Sequence, residues 1–91
     1  MTIRVTTDAY TPQEVATAKR SLRRKGVQVG QHVVAFPLRP ALPIIEEIAD
    51  WVTDKQGALY RLPDVAKPDG MALADLPSSE EQFHFVVRFR Q

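Results

Sequence analysis

The sequence predicts an α/β (α+β) two-layer sandwich of the ferredoxin-like class, formed by residues 1–91 as a single domain. Three observations lead to this fold. Amphipathic helical patterns alternate with β-rich segments, the C-terminal segment alternates like a strand, and a chain of 91 residues is long enough for only one core. The predicted order is β-α-β-α-β, then a linker and a final strand. Right-handed crossovers would place both helices on one face of the sheet and leave the other face open.

The first strand and the first helix are predicted near the N-terminus. Residues 2–7 alternate and are β-rich, which is typical of a strand. A capping box then begins the helix Pro12–Lys25: Thr11 is the N-cap, and Glu14 lies three residues after it. Gly26 suits the left-handed position that ends a helix. Three apolar residues mark the side of the helix that faces the core: Val15, Ala18 and Leu22.

The middle of the chain predicts a second strand, a second helix and a third strand. Residues 27–38 are apolar and β-branched but contain Gly30, so they form either one bulged strand or a short hairpin, and we favour the bulged strand. Helix two is expected over Ala41–Lys55. Its apolar arc, with Trp51 as a core anchor, consists of Ile44, Ile45, Ile48, Trp51 and Val52. The sequence ALYRL, residues 58–62, predicts the third strand.

The last third of the chain predicts a linker followed by a strand. Residues 63–82 hold three Pro, one Gly and five acids against one Lys, without a clear period, so we interpret them as an acidic, mobile or chain-exchanging linker. In residues 83–90 every second residue is apolar, which is typical of a strand. The apolar face of this strand is the predicted dimer or partner interface, formed by Phe83, Phe85, Val87 and Phe89.

Composition and charge exclude several classes of protein. The chain has no Cys, which excludes disulfide scaffolds, Cys-ligated zinc and thiol nucleophiles. The formal net charge is +1, so a basic surface must be local. No apolar run approaches the ~20 residues that span a bilayer, and Arg4 and Asp8 interrupt the N-terminus before any signal-peptide core. We expect a cytoplasmic protein that does not contact membranes.

A basic cluster near the end of helix one is the first candidate site. Arg20, Arg23 and Arg24 lie away from the apolar stripe, and no acid stands four residues before any of them. They either bind phosphates or face a complementary acidic edge of helix two. That edge consists of Glu46, Asp50 and Asp54.

The open face of the predicted sheet is the second candidate site. It would carry Arg4, His84, Arg88 and Arg90. Arginine suits phosphate and carboxylate groups because its planar fork matches their geometry. The same face is equally compatible with an ordinary polar surface or with a dimer interface that supplies its own acids.

Residues suited to catalysis are sparse. His32 and His84 lie neither at a metal-ligand spacing nor beside a nucleophile, so we expect no enzyme activity and no cofactor. Asp8 is the one acid that could serve as a metal ligand, because it follows the predicted first strand. It would hold magnesium only with a second carboxylate from a symmetry mate, as in a magnesium-dependent nuclease. The alternative is that Asp8 only forms the turn before helix one.

The sequence GVQVG, preceded by LRRK and with a strand and Asp8 upstream, resembles the small subunit of the CRISPR spacer-acquisition complex. That resemblance implies a ferredoxin-like fold that dimerises through its sheet and a final strand after a linker. It also implies scaffolding of duplex DNA beside an integrase subunit, with no catalysis by the small subunit itself. Two features depart from the family pattern: TTD replaces an aromatic-Asp dipeptide, and VVAFPL lengthens the second strand.

Together these patterns predict a small, non-catalytic homodimer that binds nucleic-acid backbone. Duplex DNA as the ligand is what the resemblance implies. The alternative is a protein–protein regulator, such as an inhibitor or adaptor, that docks on a larger partner. Its acidic linker and exposed final strand would then bind by strand addition. The near-neutral net charge favours the regulator, whereas the unpaired arginines favour nucleic acid.

Overall fold

The computed structural model describes residues 4–90, which form a small α+β domain around a three-stranded antiparallel sheet. The elements in chain order are α1 (Pro12–Arg24), β1 (His32–Pro37), α2 (Leu38–Ala41), a 3₁₀ helix (Leu42–Ile44), α3 (Ile45–Asp54), β2 (Ala58–Leu62), β3 (Met71–Leu76) and α4 (Ser79–Arg90). The α+β class agrees with the prediction, but the described elements do not follow the predicted β-α-β-α-β order. None of the helices within residues 4–90 is both long enough and apolar enough to cross a membrane.

Strand β3 lies at the centre of the sheet and pairs antiparallel with both neighbours, so the strand order is β1-β3-β2. Ala74 illustrates the register, because it stands opposite Val34 of β1 and Leu59 of β2. Every residue of β3 except Asp75 is buried. A strand that is paired on both edges and covered on both faces has almost no access to water.

Helices cover both faces of the sheet. On one face Ala72 and Ala74 pack with α3 and α4, while on the other Leu73 packs with Ala18 and Leu22 of α1. Successive side chains of a strand point to opposite faces, which explains how β3 contributes to both clusters. The predicted two-layer arrangement, with an open sheet face, is therefore wrong for the described residues.

An aromatic cluster fills the larger side of the core. Phe85 of α4 lies 5.7 Å from Phe36, 5.8 Å from Trp51 and 4.9 Å from Phe89, measured between ring centroids. Phe85 is fully buried together with Ile48 of α3. Tilted and edge-to-face rings at these distances add stability beyond their buried area. Trp51 is thus a core anchor, as predicted.

Helix one and the third strand agree with the prediction, but helix two is divided. The segment predicted over Ala41–Lys55 contains the end of α2, the 3₁₀ helix Leu42–Ile44 and then α3. The division falls around Pro43, which has no N–H to donate to a helical hydrogen bond, and Ile44 leaves the helical conformation with φ −119° and ψ 15°. The core-facing residues of α3 are Ile45, Ile48 and Val52.

The predicted first strand is not found in its described part. Residues 4–6 have no regular structure and Thr7 lies in a turn, while residues 2 and 3 of the prediction lie outside the described residues. Val5 is nevertheless buried, and its N–H donates to the carbonyl oxygen of Phe89 at 2.9 Å. The second strand is shorter than predicted, because it begins at His32 and not at residue 27.

The predicted linker, residues 63–82, is wrong because it contains the central strand. Met71–Leu76 has the sequence MALADL, in which alanine and aspartate are poor strand formers. Pairing with two neighbouring strands and burial on both faces override that local preference. The small side chains of Ala72 and Ala74 allow the helices to approach the sheet closely.

The predicted final strand, residues 83–90, is also wrong, since these residues form most of α4. The start signal for a helix lies just before them: the Oγ of Ser78 accepts a hydrogen bond from the N–H of Glu81 at 3.2 Å. Phe85 and Phe89 are four residues apart and share one helical face. That spacing was hidden within the alternation of apolar residues.

Phe85 and Phe83 give a direct test of this helix. Phe85→Ala should lower the free energy of unfolding by about 3–5 kcal/mol, because it empties the centre of the aromatic cluster. Phe83→Ala should change it by less than about 0.5 kcal/mol, because Phe83 is exposed. Urea denaturation followed by circular dichroism measures both, and Phe85→Leu serves if the alanine variant does not fold. Equal losses of unfolding free energy in the two alanine variants would instead support the strand predicted for residues 83–90, in which both rings share a face.

Candidate nucleic-acid interface

Helix α1 begins with the predicted capping box. The N–H of Glu14 donates to the Oγ1 of Thr11 at 3.2 Å, and the N–H of Thr11 donates to the Oε1 of Glu14 at 3.0 Å. Ala18 and Leu22 are buried against the sheet. This orientation turns the opposite side of the helix, with its cationic residues, toward solvent.

The C-terminal end of α1 forms a Schellman motif. The N–H of Val27 donates to the carbonyl of Leu22, and the N–H of Gly26 donates to the carbonyl of Arg23, both at 3.0 Å. Gly26 has a φ of +84°, which favours glycine. Val27 and Leu22 belong to the same apolar cluster, as this motif usually requires. The helix therefore ends at a defined point, and its last turn holds Arg23 and Arg24.

An open cleft of about 520 Å³ lies beside this helix end, lined by Arg23, Gly26, Val27, Gln28 and Val29. One wall is the irregular segment 27–30, and the N–H of Gly30 fixes its far end by donating to the Oδ2 of Asp75 at 3.1 Å. Asp75 was not among the predicted site residues, because it falls within the segment predicted to be a linker. The only signal in the sequence was an acid within an otherwise apolar stretch.

The three arginines of α1 are exposed and lie on the same half of the helix. Within residues 4–90, none of the ion pairs involves Arg20, Arg23 or Arg24. Lys25, at the helix end, is also exposed, and Glu14 is occupied at the other end by the capping box. We call Arg20, Arg23, Arg24 and Lys25 the α1 basic cluster. It is a local concentration of positive charge in a protein of net charge +1.

Acids of α3 do not neutralise the α1 basic cluster, because α1 and α3 lie on opposite faces of the sheet. Glu46 pairs instead with Arg61 of β2 at 3.1 Å, and Glu47 pairs with Arg88 of α4 at 2.9 Å. The alternative in which the two helices complement each other along a shared edge is therefore wrong.

The other arginines predicted to bind nucleic acid lie elsewhere. Arg88 and Arg90 belong to α4, on the face of the sheet opposite α1, and both are paired with acids. Arg4 is exposed and directly precedes Val5, which is bonded to the end of α4. The structure thus brings the α1 cations together but does not join these three arginines to them.

Asp8 lies in an exposed turn and pairs with Arg90 at 3.3 Å. It does not follow a strand in the described structure, so the geometric reason for a metal site there is lost. Across residues 4–90, no three His, Cys, Asp or Glu side chains are grouped so as to hold a metal ion. His84 lies within 3.7 Å of Glu81 on α4, and His32 begins β1.

The apolar interface predicted at the C-terminus is divided by the helix. Phe85 and Phe89 are buried in the core, whereas Phe83 and Val87 face solvent with 65% and 42% of their surface exposed. The prediction treated all four as one face because residues of a strand alternate. In a helix only positions three or four apart share a face.

Comparisons of the chain with models of protein families, with curated proteins and with solved structures find no match. The site is therefore interpreted from its own residues.

Tyr10 holds the start of α1 against the loop before β3 and was also missed as a positioning residue. Its hydroxyl donates to the carbonyl oxygen of Gly70 at 3.1 Å. Burial raises the pKa of Tyr10 above its ordinary value of 10.0, and the nearby negative charges of Asp69 and Glu14 raise it further. The neutral phenol is therefore favoured in the folded protein, where it acts as a donor.

This contact predicts a pH dependence of stability. Tyr10→Phe should lower the free energy of unfolding at neutral pH by about 0.5–1.5 kcal/mol, since it removes one hydrogen bond. Because the pKa is raised in the folded state, the contribution of Tyr10 is fully present below the unfolded pKa of 10.0 and is lost as the pH rises through the folded pKa. Denaturation across the alkaline range should show wild type losing stability relative to Tyr10→Phe.

The chain offers a clean control, because its only other tyrosine is Tyr60. In Tyr60→Phe, the ultraviolet absorbance of tyrosinate reports Tyr10 alone. An ionisation of Tyr10 at or below its ordinary pKa would contradict the assignment.

Proposed function

We propose that this protein binds the phosphate backbone of nucleic acid through the α1 basic cluster. One observation carries the proposal: Arg20, Arg23 and Arg24 are exposed together on one helix, and no acid within residues 4–90 pairs with them. Like charges at i and i+4 repel each other by a few tenths of a kcal/mol. A polyanion that relieves this repulsion gains both the contacts and the released counterions.

The shape of the site favours a backbone ligand. A helix about 10–12 Å across fits the major groove of duplex DNA, and phosphates recur along each strand within reach of long arginine side chains. The planar guanidinium group bonds phosphate oxygens in pairs. Such contacts position a protein without reading bases, which agrees with a role as a scaffold rather than a sequence reader.

The resemblance to the small subunit of the CRISPR spacer-acquisition complex remains a proposal of the same kind. It supports duplex DNA as the ligand and a non-catalytic, scaffolding role. The segment Phe83–Arg90, on which part of the resemblance rested, is helical, and the described strands number three. Residues 27–30 are irregular and not a strand, and residues 4–6 before Asp8 do not form one either, so only the sequence motif GVQVG and the basic residues before it still support the resemblance.

The salt dependence of binding tests the proposal. The variant with Arg20→Gln, Arg23→Gln and Arg24→Gln should flatten the plot of log affinity against log salt by roughly two to three units, because each duplex phosphate contact contributes about −0.9. Affinity should fall alike for DNA duplexes of different sequence. Fluorescence anisotropy at several salt concentrations measures both effects, and thermal unfolding checks that the variant folds.

A matched control removes three positive charges from the other face. Arg61→Gln, Arg88→Gln and Lys55→Gln give the same change in net charge, but Arg61 and Arg88 are paired with acids and Lys55 lies over the Trp51 ring. This control should leave the salt slope nearly unchanged. Equal losses in the two triple variants would show that overall charge, and not the α1 basic cluster, governs binding.

The sequence also suggested a second function, that of a regulator that docks on a larger protein. The observations that support this function are now different. Its exposed final strand is helical and its linker holds β3, so strand addition by those segments no longer applies. The exposed side chains of Leu42, Phe83 and Val87 now favour this alternative. Absence of duplex binding by the wild-type protein even at low salt would support it over nucleic-acid binding.

A further inference from the structure

The outer side of α4 carries a stripe with an acid at one end and a base at the other. Its members are Glu80, Phe83, Val87 and Arg90, which all face solvent. Their spacings of three, four and three residues are those of the a and d positions of a coiled coil. Phe85 and Phe89 lie on the other side of the helix and pack in the core, so the stripe is free to contact another molecule.

We propose that a second copy of this chain covers the stripe, with the two α4 helices antiparallel across a two-fold axis beside Phe85. In that arrangement Phe83 lies opposite Val87 of the second copy, and the same contact recurs by symmetry. Glu80 lies opposite Arg90 of the second copy, so that one ion pair closes each end of the apolar seam. The stripe thus complements itself.

Charge decides the direction of the helices. A parallel pair would place Glu80 on Glu80 and Arg90 on Arg90, so both ends would repel. Glu80 has no ion pair within residues 4–90. Arg90 holds Asp8 only through an exposed contact, in which the two side chains are 55% and 69% accessible. Both groups are therefore available to a second copy.

The small size of the interface sets the expected strength. Helix α4 has 12 residues and a length of about 18 Å, so the seam holds only two apolar layers and buries less than the roughly 1,600 Å² of a standard interface. We therefore expect a weak dimer that dissociates on dilution. Since α1 lies on the other face of the sheet, its basic cluster stays exposed in both copies.

Sedimentation equilibrium over a range of concentrations tests the dimer. Phe83→Ser with Val87→Ser should make the chain monomeric. Leu42→Ser, which changes another exposed apolar residue outside α4, should leave the dimer intact. A wild-type chain that stays monomeric up to its solubility limit would overturn the proposal. It would indicate that the partner of the stripe is a different protein.

Charge reversal tests the ion pairs. Glu80→Arg or Arg90→Glu alone should weaken the dimer about tenfold, because two attractive contacts become repulsive. The double variant should restore most of the affinity, since each pair is re-formed with its signs exchanged. Single variants that associate like the wild type, or a double variant without recovery, would contradict the pairing.

Cross-linking tests the direction of the helices, and the absence of native Cys makes it clean. Ten residues separate positions 80 and 90, which corresponds to about 15 Å along a helix. A short bis-maleimide reagent should therefore join Glu80→Cys to Arg90→Cys in a mixture of the two variants, but should join neither variant to itself. Efficient self-linking of Glu80→Cys would indicate a parallel pair and would overturn the antiparallel arrangement.

Discussion

Burial of β3 on both faces is the constraint on which the rest of the fold depends. Each edge of this strand pairs with a neighbouring strand, and its side chains alternate between two clusters that hold α1 on one side and α3 and α4 on the other. Ala72 and Ala74 leave room for the rings of Phe36 and Phe85, whereas Leu73 packs in the smaller cluster under α1. A larger residue at either alanine would force the helices away from the sheet.

The end of β3 also organises the two loops beside it. The carboxylate of Asp75 accepts a hydrogen bond from Gly30, which fixes the segment between α1 and β1. Its backbone carbonyl passes so close to Gly57 that a Cβ atom there would collide with it. Gly57 thus allows the turn between α3 and β2 to approach the central strand. One residue of β3 therefore sets the path of the chain at two places.

The sheet separates the charges of the molecule. Acids of α3 pair with arginines of β2 and α4 on one face, while the α1 basic cluster stands alone on the other. A net charge of +1 conceals this asymmetry, because it adds up residues that the fold holds apart. The same separation leaves the outer stripe of α4 and the basic side of α1 on surfaces that do not compete for one partner.

The β-forming side chains of ALYRL predicted β2, although its pairing partners lie in β3, beyond the next loop. Local signals also determined α1, its capping box and its glycine end, because those contacts lie within a few residues. The basic cluster was predictable for the same reason. Whether the α1 basic cluster pairs with the acids of α3 depends on which face of the sheet α3 occupies, and the sequence does not show this. Tertiary structure also decided the two large errors. Residues 71–76 form a strand because two distant strands pair with them, and residues 83–90 form a helix because Phe85 and Phe89 fit beside Trp51.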